Sequence, residues 1–328
     1  MIHRIARPHM ILRGPAPGVD NGDDSAFASR LHWKSDPRRS SSADSLKRAS
    51  RAMNPHQAHI STPREMVSSP WRNRGLINQL VRREVIGRYR GSALGVAWSF
   101  FNPIIMLLVY TFVFSVVFKA RWGLGADEGK ASFAVVLFVG MIVHGLFAEV
   151  ANRAPTLILG NVSYVKRVVF PLEVLPWVSM GSALFHAIIS LMVLLSAQLL
   201  LTHKLPWTAV LFPIVFAPLV VATMGAAWFL ASIGVYLRDV GQTIGIVTTV
   251  MLFMAPVFYP ISVLPESYQA LLHLNPLTFI IEESRKVLLF GQLPNWSGWA
   301  IYTTISFGVA WAGFWWFQKS RKGFADVV

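Results

Sequence analysis

Val210–Tyr236 reads VLFPIVFAPLVVATMGAAWFLASIGVY, 27 residues without one charged side chain. A helix needs about 20 residues to cross about 30 Å of hydrocarbon, and this run exceeds that. Pro213 and Pro218 lie inside it. In lipid a proline's lost hydrogen bond is tolerated where neighbouring helices compensate, so both read as kinks and not as stops. Five more apolar runs lie near Leu94–Phe118, which has Pro103 early in it, Phe133–Ala151, Trp177–Leu201, Gly241–Tyr259 and Trp299–Phe317. The pattern predicts an all-α integral membrane protein with six transmembrane helices.

Composition points the same way. Of 328 residues, 54% are hydrophobic and 14% are charged, with a mean hydropathy of +0.48. A soluble domain carries about 25% charged residues. The shortfall is not explained by a larger soluble core, because folded surfaces need polar cover. That argues against a water-soluble enzyme and, over most of the length, against a disordered chain. The net charge of +14 does not form a nucleic-acid face. Residues 1–65 hold 11 Lys and Arg against 6 Asp and Glu, and the remaining 19 and 10 are scattered between apolar runs. Such loop charge is a membrane-orientation signal. There is no cysteine, hence no disulfide framework, thiolate metal site or cysteine nucleophile.

Residues 1–65 have no apolar period and no signal-peptide core. They read as a polar, disordered extension or as codons upstream of the true start, with Met53 or Met66 as the beginning. The membrane domain is placed at 66–328. It opens with an interfacial helix at 73–90, where LINQLVRREVIGRYR (76–90) repeats Ile77, Val81, Val85 and Tyr89 on one side and sets Arg74, Arg82, Arg83 and Arg90 elsewhere. An apolar stripe backed by guanidinium groups suits the boundary between acyl chains and anionic head groups.

With the amino end in the cytoplasm, thirteen Lys and Arg side chains between Arg72 and Lys322 fall inside. Six fall outside: Lys119, Arg121, Lys130, Lys204, Arg285 and Lys286. This satisfies the positive-inside rule and puts both termini in the cytoplasm. Two connections stand out. The basic inside stretch 152–176 has room for a short helix parallel to the membrane. The outer stretch 260–298 reads as two short helices, Pro265–Leu274 and Pro276–Phe290. Asn275 is the N-cap and Pro276 the first residue of the second, and Gly291 closes it. Too short to span and too apolar for water, the pair is predicted as re-entrant.

No phosphate-binding loop, His-Glu-x-x-His or Gly-x-Ser-x-Gly motif occurs, so no catalytic, cofactor-binding or metal site is assigned. Ionisable groups in the spans are few. Glu149 and Glu173 are expected to pair with Arg153, Lys166 or Arg167, and His144 and His186 to bond between helices, with a proton relay as the alternative. Most of the twelve tryptophans fall at span ends, as an interfacial belt does. Trp228, Phe229, Trp311 and Phe314 lie deeper. Flat aromatic faces suit sugar rings sliding past, so these four are candidate passage-lining residues against the plainer reading of helix packing. Gly241-x-x-x-Gly245 matches a close-packing motif that also arises by chance.

Four blocks together resemble a known family. They are Arg83–Gly95 (REVIGRYRGSALG) with Trp98 and Asn102-Pro103, then Lys166–Pro171 with Leu175-Pro176, then Tyr236–Val240, then Asn275–Thr278. Their order is similar to that of polysaccharide-export permeases of the type-2 ABC transporter class, which serve O-antigen, capsule and teichoic acid export. The resemblance implies a half-transporter in the bacterial inner membrane: two copies form the conduit, and two separate ABC ATPase subunits use ATP and Mg. It implies a coupling loop with Asn161, Tyr164, Lys166 and Arg167 as ATPase contacts. Arg83, Arg88, Tyr89 and Arg90 become a cytoplasmic gate for a lipid-linked polysaccharide head, or a site for ordinary membrane lipid. Asn275, Pro276 and Thr278 set an outer gate. Drug or lipid efflux is the alternative cargo, and a membrane glycan ligase or polymerase the alternative class.

Overall fold

The computed structural model describes residues 61–117, 130–166 and 170–328, and every regular element among them is helical. Two helices come first, α1 at Pro63–Arg72 and α2 at Arg74–Arg88. Thr62 caps α1, its hydroxyl accepting from the Glu65 amide at 3.3 Å. This helix therefore crosses the predicted boundary at residue 65, and the 1–60 part of the polar extension lies outside the described residues. The long helices follow: α3 at Trp98–Tyr110 with a π-helical continuation over Thr111–Val117, α4 at Lys130–Arg153, α5 at Leu175–Thr202 and α6 at Phe212–Tyr236. After them come α7 at Val240–Phe253, α8 at Glu266–His273, α9 at Pro276–Arg285 and α10 at Trp296–Ser320.

Four segments are long and apolar enough to cross a bilayer: Gly95–Phe114, Phe133–Thr156, Leu172–Thr202 and Trp207–Tyr236. They match the first four predicted spans. The fifth differs. Its helix α7 has 14 residues, about 21 Å, and stops before the predicted end at Tyr259. The cause is Pro256, which drives Ala255 out of helical geometry. A turn follows, and the Tyr259 hydroxyl donates back to the Phe253 carbonyl at 2.7 Å. The sixth, α10, is 25 residues long but less apolar. Its Thr303, Thr304 and Ser306 hydroxyls donate to carbonyls one turn earlier, at 2.7–2.9 Å, which satisfies them inside the helix.

The core lies between α4, α5, α6 and α10. Leu146, Leu194, Leu219, Met224, Trp228, Phe314 and Phe317 are buried there. Helix α6 is apolar all round, so it buries one side and still shows Ile214 and Phe229 on the other. It crosses α10 where two glycines meet: a Cβ on Gly225 would stand 2.5 Å from the Val309 carbonyl oxygen. Gly245, by contrast, has nothing within 4 Å of its Cβ position, and Gly241 only ordinary contacts. The Gly241-x-x-x-Gly245 motif is not a close contact within the protomer.

The predicted helix pair after α7 is present. Asn275 caps α9, its side-chain oxygen accepting from the Leu277 amide at 3.0 Å, and Gly291 ends the following π-turn at φ 67°. Leu277, Ile280 and Ile281 enter the main core. An ion pair joins buried Glu283 to the partly exposed Lys286, and the second Glu283 oxygen accepts from the Asn295 amide at 2.8 Å, fixing the start of α10.

Candidate functional site at the basic end of the bundle

Helix α2 is the amphipathic element the sequence predicts. Its apolar side docks on α5, with Leu80 packed against Val174 and Val178. The approach is close because position 181 of α5 is glycine: a Cβ there would lie 2.5 Å from a Val81 methyl. This docking carries the end of α2, with Arg88 and Tyr89, over the gap between α4 and α5.

There the polar groups converge. The Arg88 guanidinium donates to a Glu149 carboxylate oxygen at 2.7 Å and reaches His186 Nδ1 at 3.2 Å. The same Nδ1 lies 3.1 Å from both Glu149 oxygens, and the Tyr89 hydroxyl lies 2.9 Å from Nε2. Arg88 bonds to Nδ1 only when that nitrogen is bare, and Glu149 only when it carries the proton, so the two compete for one atom. Burial pushes the Tyr89 phenol above its ordinary pKa, and it stays neutral. The cluster lines a cavity of about 240 Å³ that also takes in Asn102 and Ser190.

Arg83 does something else. Its guanidinium donates to the Tyr164 hydroxyl at 2.9 Å, and the Tyr164 ring lies parallel to Phe170 with centroids 4.2 Å apart. Glu84, next along α2, forms an ion pair with Arg153. So the amphipathic helix is tied at one point to the end of α4, through Arg153, and at one to the segment that follows it, through Tyr164. That segment starts at residue 154, because α4 runs through Arg153, and its described part holds 3-10 turns at Ala154–Thr156 and Leu159–Asn161 and an α-helical turn at Val162–Val165. Asn161 donates to the Leu157 carbonyl at 2.8 Å. Lys166 is exposed, as is Arg90, whereas Arg167 lies outside the described residues.

The expected carboxylate pairings are corrected. Glu149 pairs with Arg88 and His186. Glu173 pairs with Arg321 at 2.6 Å and accepts from Ser69 at 2.9 Å, while a second Arg321 nitrogen donates to the Phe170 carbonyl at 2.8 Å. Burial lowers the Arg321 pKa and the neighbouring Glu173 opposes that shift. The relay reading of the histidines has no support, since His144 bonds to the Thr248 carbonyl at 2.9 Å, across to α7.

The four aromatics part company. Trp228 and Phe314 are buried, edge to face at 5.1 Å, with the Trp228 indole donating to the Glu173 carbonyl. They belong to the core, and Trp228 also borders a cleft beside Trp177 and Met224. Phe229 and Trp311 are exposed. At the other end, Asn275 also donates to the Met251 carbonyl at 2.9 Å and Thr278 to the Leu272 carbonyl at 2.6 Å, so with Pro276 they shape the α8–α9 turn.

Sequence reading missed Glu149 and His186 as companions of Arg88. The usable signal was that His186 is the lone ionisable residue of its span, and that Glu149, near the inside end of the span before it, also needs a partner. Arg321 was missed because it follows the last span and meets Glu173 from 148 residues away.

A family model described as ABC-2 type transporter matches residues 75–289. The O-antigen export system permease protein RfbA of Myxococcus xanthus is 29% identical over 265 residues, covering 80% of this chain and 99% of the relative. The protein of the same name from Klebsiella pneumoniae is 24% identical over 77% of this chain and 95% of its own. The polysialic acid transport protein KpsM of Escherichia coli is 20% identical over 66% of this chain and 82% of its own. With the matched region taking in the amphipathic helix, the tied segment and the α8–α9 pair, this chain belongs to the ABC-2 type transporter family.

Proposed function

We propose that the chain is the membrane subunit of an ATP-driven exporter that moves a lipid-linked polysaccharide, of O-antigen, capsular or related type, across the bacterial inner membrane. The observation that carries this reading is the match over 99% of an O-antigen export permease. The site geometry supports it: Arg88 and Tyr89 sit at the mouth of a polar cavity at the end of the bundle where a charged lipid head would arrive.

In this reading α3, α4, α5, α6, α7 and α10 are the six spans, and α8–α9 is the outer re-entrant pair. Both termini are cytoplasmic. Two copies form the conduit, and the apolar face of α3, where Phe100, Phe101, Ile104, Ile105 and Leu108 are exposed, is available to lipid or to the second copy. Two ATPase subunits dock on the segment between α4 and α5 and handle ATP and Mg²⁺ there. Movement of that segment reaches α2 through Arg83–Tyr164, and movement of the end of α4 through Glu84–Arg153. This subunit makes and breaks no covalent bond of the cargo.

The test is the permease with its ATPase in proteoliposomes. ATP hydrolysis should rise with lipid-linked glycan, and the glycan should become protected inside inverted vesicles. Indifference to every lipid-linked glycan, with a drug or phospholipid moved instead, would overturn the assignment.

A further inference from the structure

Arg88 is the most accessible member of its cluster, with its side chain 36% exposed against 21% for Glu149 and 18% for His186. Removing one partner from a shielded carboxylate ordinarily strands a charge. Here Glu149 has a second partner. If Arg88 swings away, His186 can carry its proton on Nδ1 and donate to Glu149, while Nε2 accepts from the Tyr89 hydroxyl. The Glu149 carboxylate, the imidazole and the Tyr89 hydroxyl then each keep a partner. The cluster thus has two bonding arrangements, one with Arg88 on Glu149 and one in which His186 holds the carboxylate once Arg88 has left.

We infer that Arg88 is a receptor for a phosphate or diphosphate group that Glu149 holds in reserve, so that ligand binding exchanges carboxylate for phosphate. A guanidinium accepts either anion through the same two-pronged geometry. The cavity beside it, walled by Asn102, Ser190 and Tyr89, offers further polar contacts for the phosphate oxygens. His186 is a positioning residue in this scheme: it keeps Glu149 satisfied once Arg88 has left. The exchange makes docking conditional, because only a group that outcompetes Glu149 opens the site. The inference rests on the export reading for one point, that the phosphate comes on a polyprenyl carrier.

The experiment measures equilibrium binding of undecaprenyl pyrophosphate to the intact permease–ATPase complex in phosphatidylcholine nanodiscs, with undecaprenol and inorganic pyrophosphate as comparison arms. The wild-type complex should bind the carrier and bind undecaprenol at least tenfold more weakly. Glu149→Gln, which keeps the shape and removes the charge, should tighten carrier binding about fivefold, or about 1 kcal/mol at about 1.4 kcal/mol per decade, the size of a partly exposed ion pair. His186→Phe should weaken it. These opposite directions separate exchange from simple damage, since misfolding weakens both. Unchanged or weaker binding by a folded Glu149→Gln complex would overturn the exchange, as would equal affinity for undecaprenol. Should Glu149→Gln fail to fold, His186→Phe decides alone: unchanged or tighter binding counts against the exchange. Inorganic pyrophosphate binding as tightly as the carrier would support the exchange and remove the carrier as its source. The export reading fails separately, if the carrier binds as described while no lipid-linked glycan stimulates hydrolysis.

Discussion

Tyr164 has two jobs that a single atom separates. Its ring lies flat on Phe170, and its hydroxyl accepts from Arg83. Tyr164→Phe keeps the stack and deletes the bond. If that bond carries motion from the ATPase side to α2, glycan moved per ATP hydrolysed should fall about threefold, within the range over which such links modulate coupling. Hydrolysis itself should stay within about twofold, a ratio read from paired transport and phosphate-release assays in one vesicle preparation. Equal ratios in wild type and variant would mean the bond is incidental. Both residues were picked out in the sequence, Arg83 for a lipid head and Tyr164 for the ATPase, yet their contact was not legible. It depends on α2 lying across α5, which a glycine at 181 permits, and no local pattern announces which valine fills the gap. Caps were legible because they are local: Asn275 and Gly291 sit where their chemistry demands.

Helices α6 and α10 meet backbone to backbone. Gly313 faces Gly225 so closely that a Cβ on Gly313 would fall well inside van der Waals contact distance of the Gly225 carbonyl oxygen, and a backbone cannot yield as a long side chain can. Gly313→Ala should therefore push the two helices apart. An overpacking cost of about 1–3 kcal/mol is expected, seen as a lower melting temperature of the purified protomer in detergent. Gly245→Ala is the control, since its Cβ would meet nothing within 4 Å, and alanine is the better helix former by up to about 1 kcal/mol. Its melting temperature should hold or rise. The reverse ranking would place the tight helix contact at 241–245 and not at 225/313. Motif reading passed over Gly225 and Gly313 for a physical reason: spacing along one helix says nothing about how close a second helix comes. It also read past Pro256, where an apolar run continued while the backbone turned. Hydropathy counts side chains and is blind to a single proline ending a ladder.

At the scale of the whole chain, charge placement decides which way the bundle faces. With the six crossings proposed above, thirteen cationic side chains fall on one side against six on the other, a bias large enough to fix orientation during insertion. The bias was legible from the sequence alone because it needs only the order of spans and loops. The number of crossings was less so, since α7 is short and α10 carries Thr and Ser among its aromatics, and both must cross for Lys322 to share a side with Lys166. The chain contains no cysteine, so single introduced thiols report without background. Lys166→Cys and Lys322→Cys lie at exposed positions and should react with a membrane-impermeant maleimide only in inside-out vesicles. Lys204→Cys and Glu266→Cys, exposed at the opposite end, should react only in intact cells stripped of their outer membrane. Labelling of positions 166 and 322 from opposite faces would leave an odd number of crossings between them. One of α7 and α10 would then not span, and the α8–α9 pair would lose its place as an outer gate. Labelling of 166 and 204 from the same face would remove α5 as a span. Arg88, Glu149 and His186 would then lie in a different solvent from the one assumed here, and the exchange at Arg88 would have no lipid head to receive.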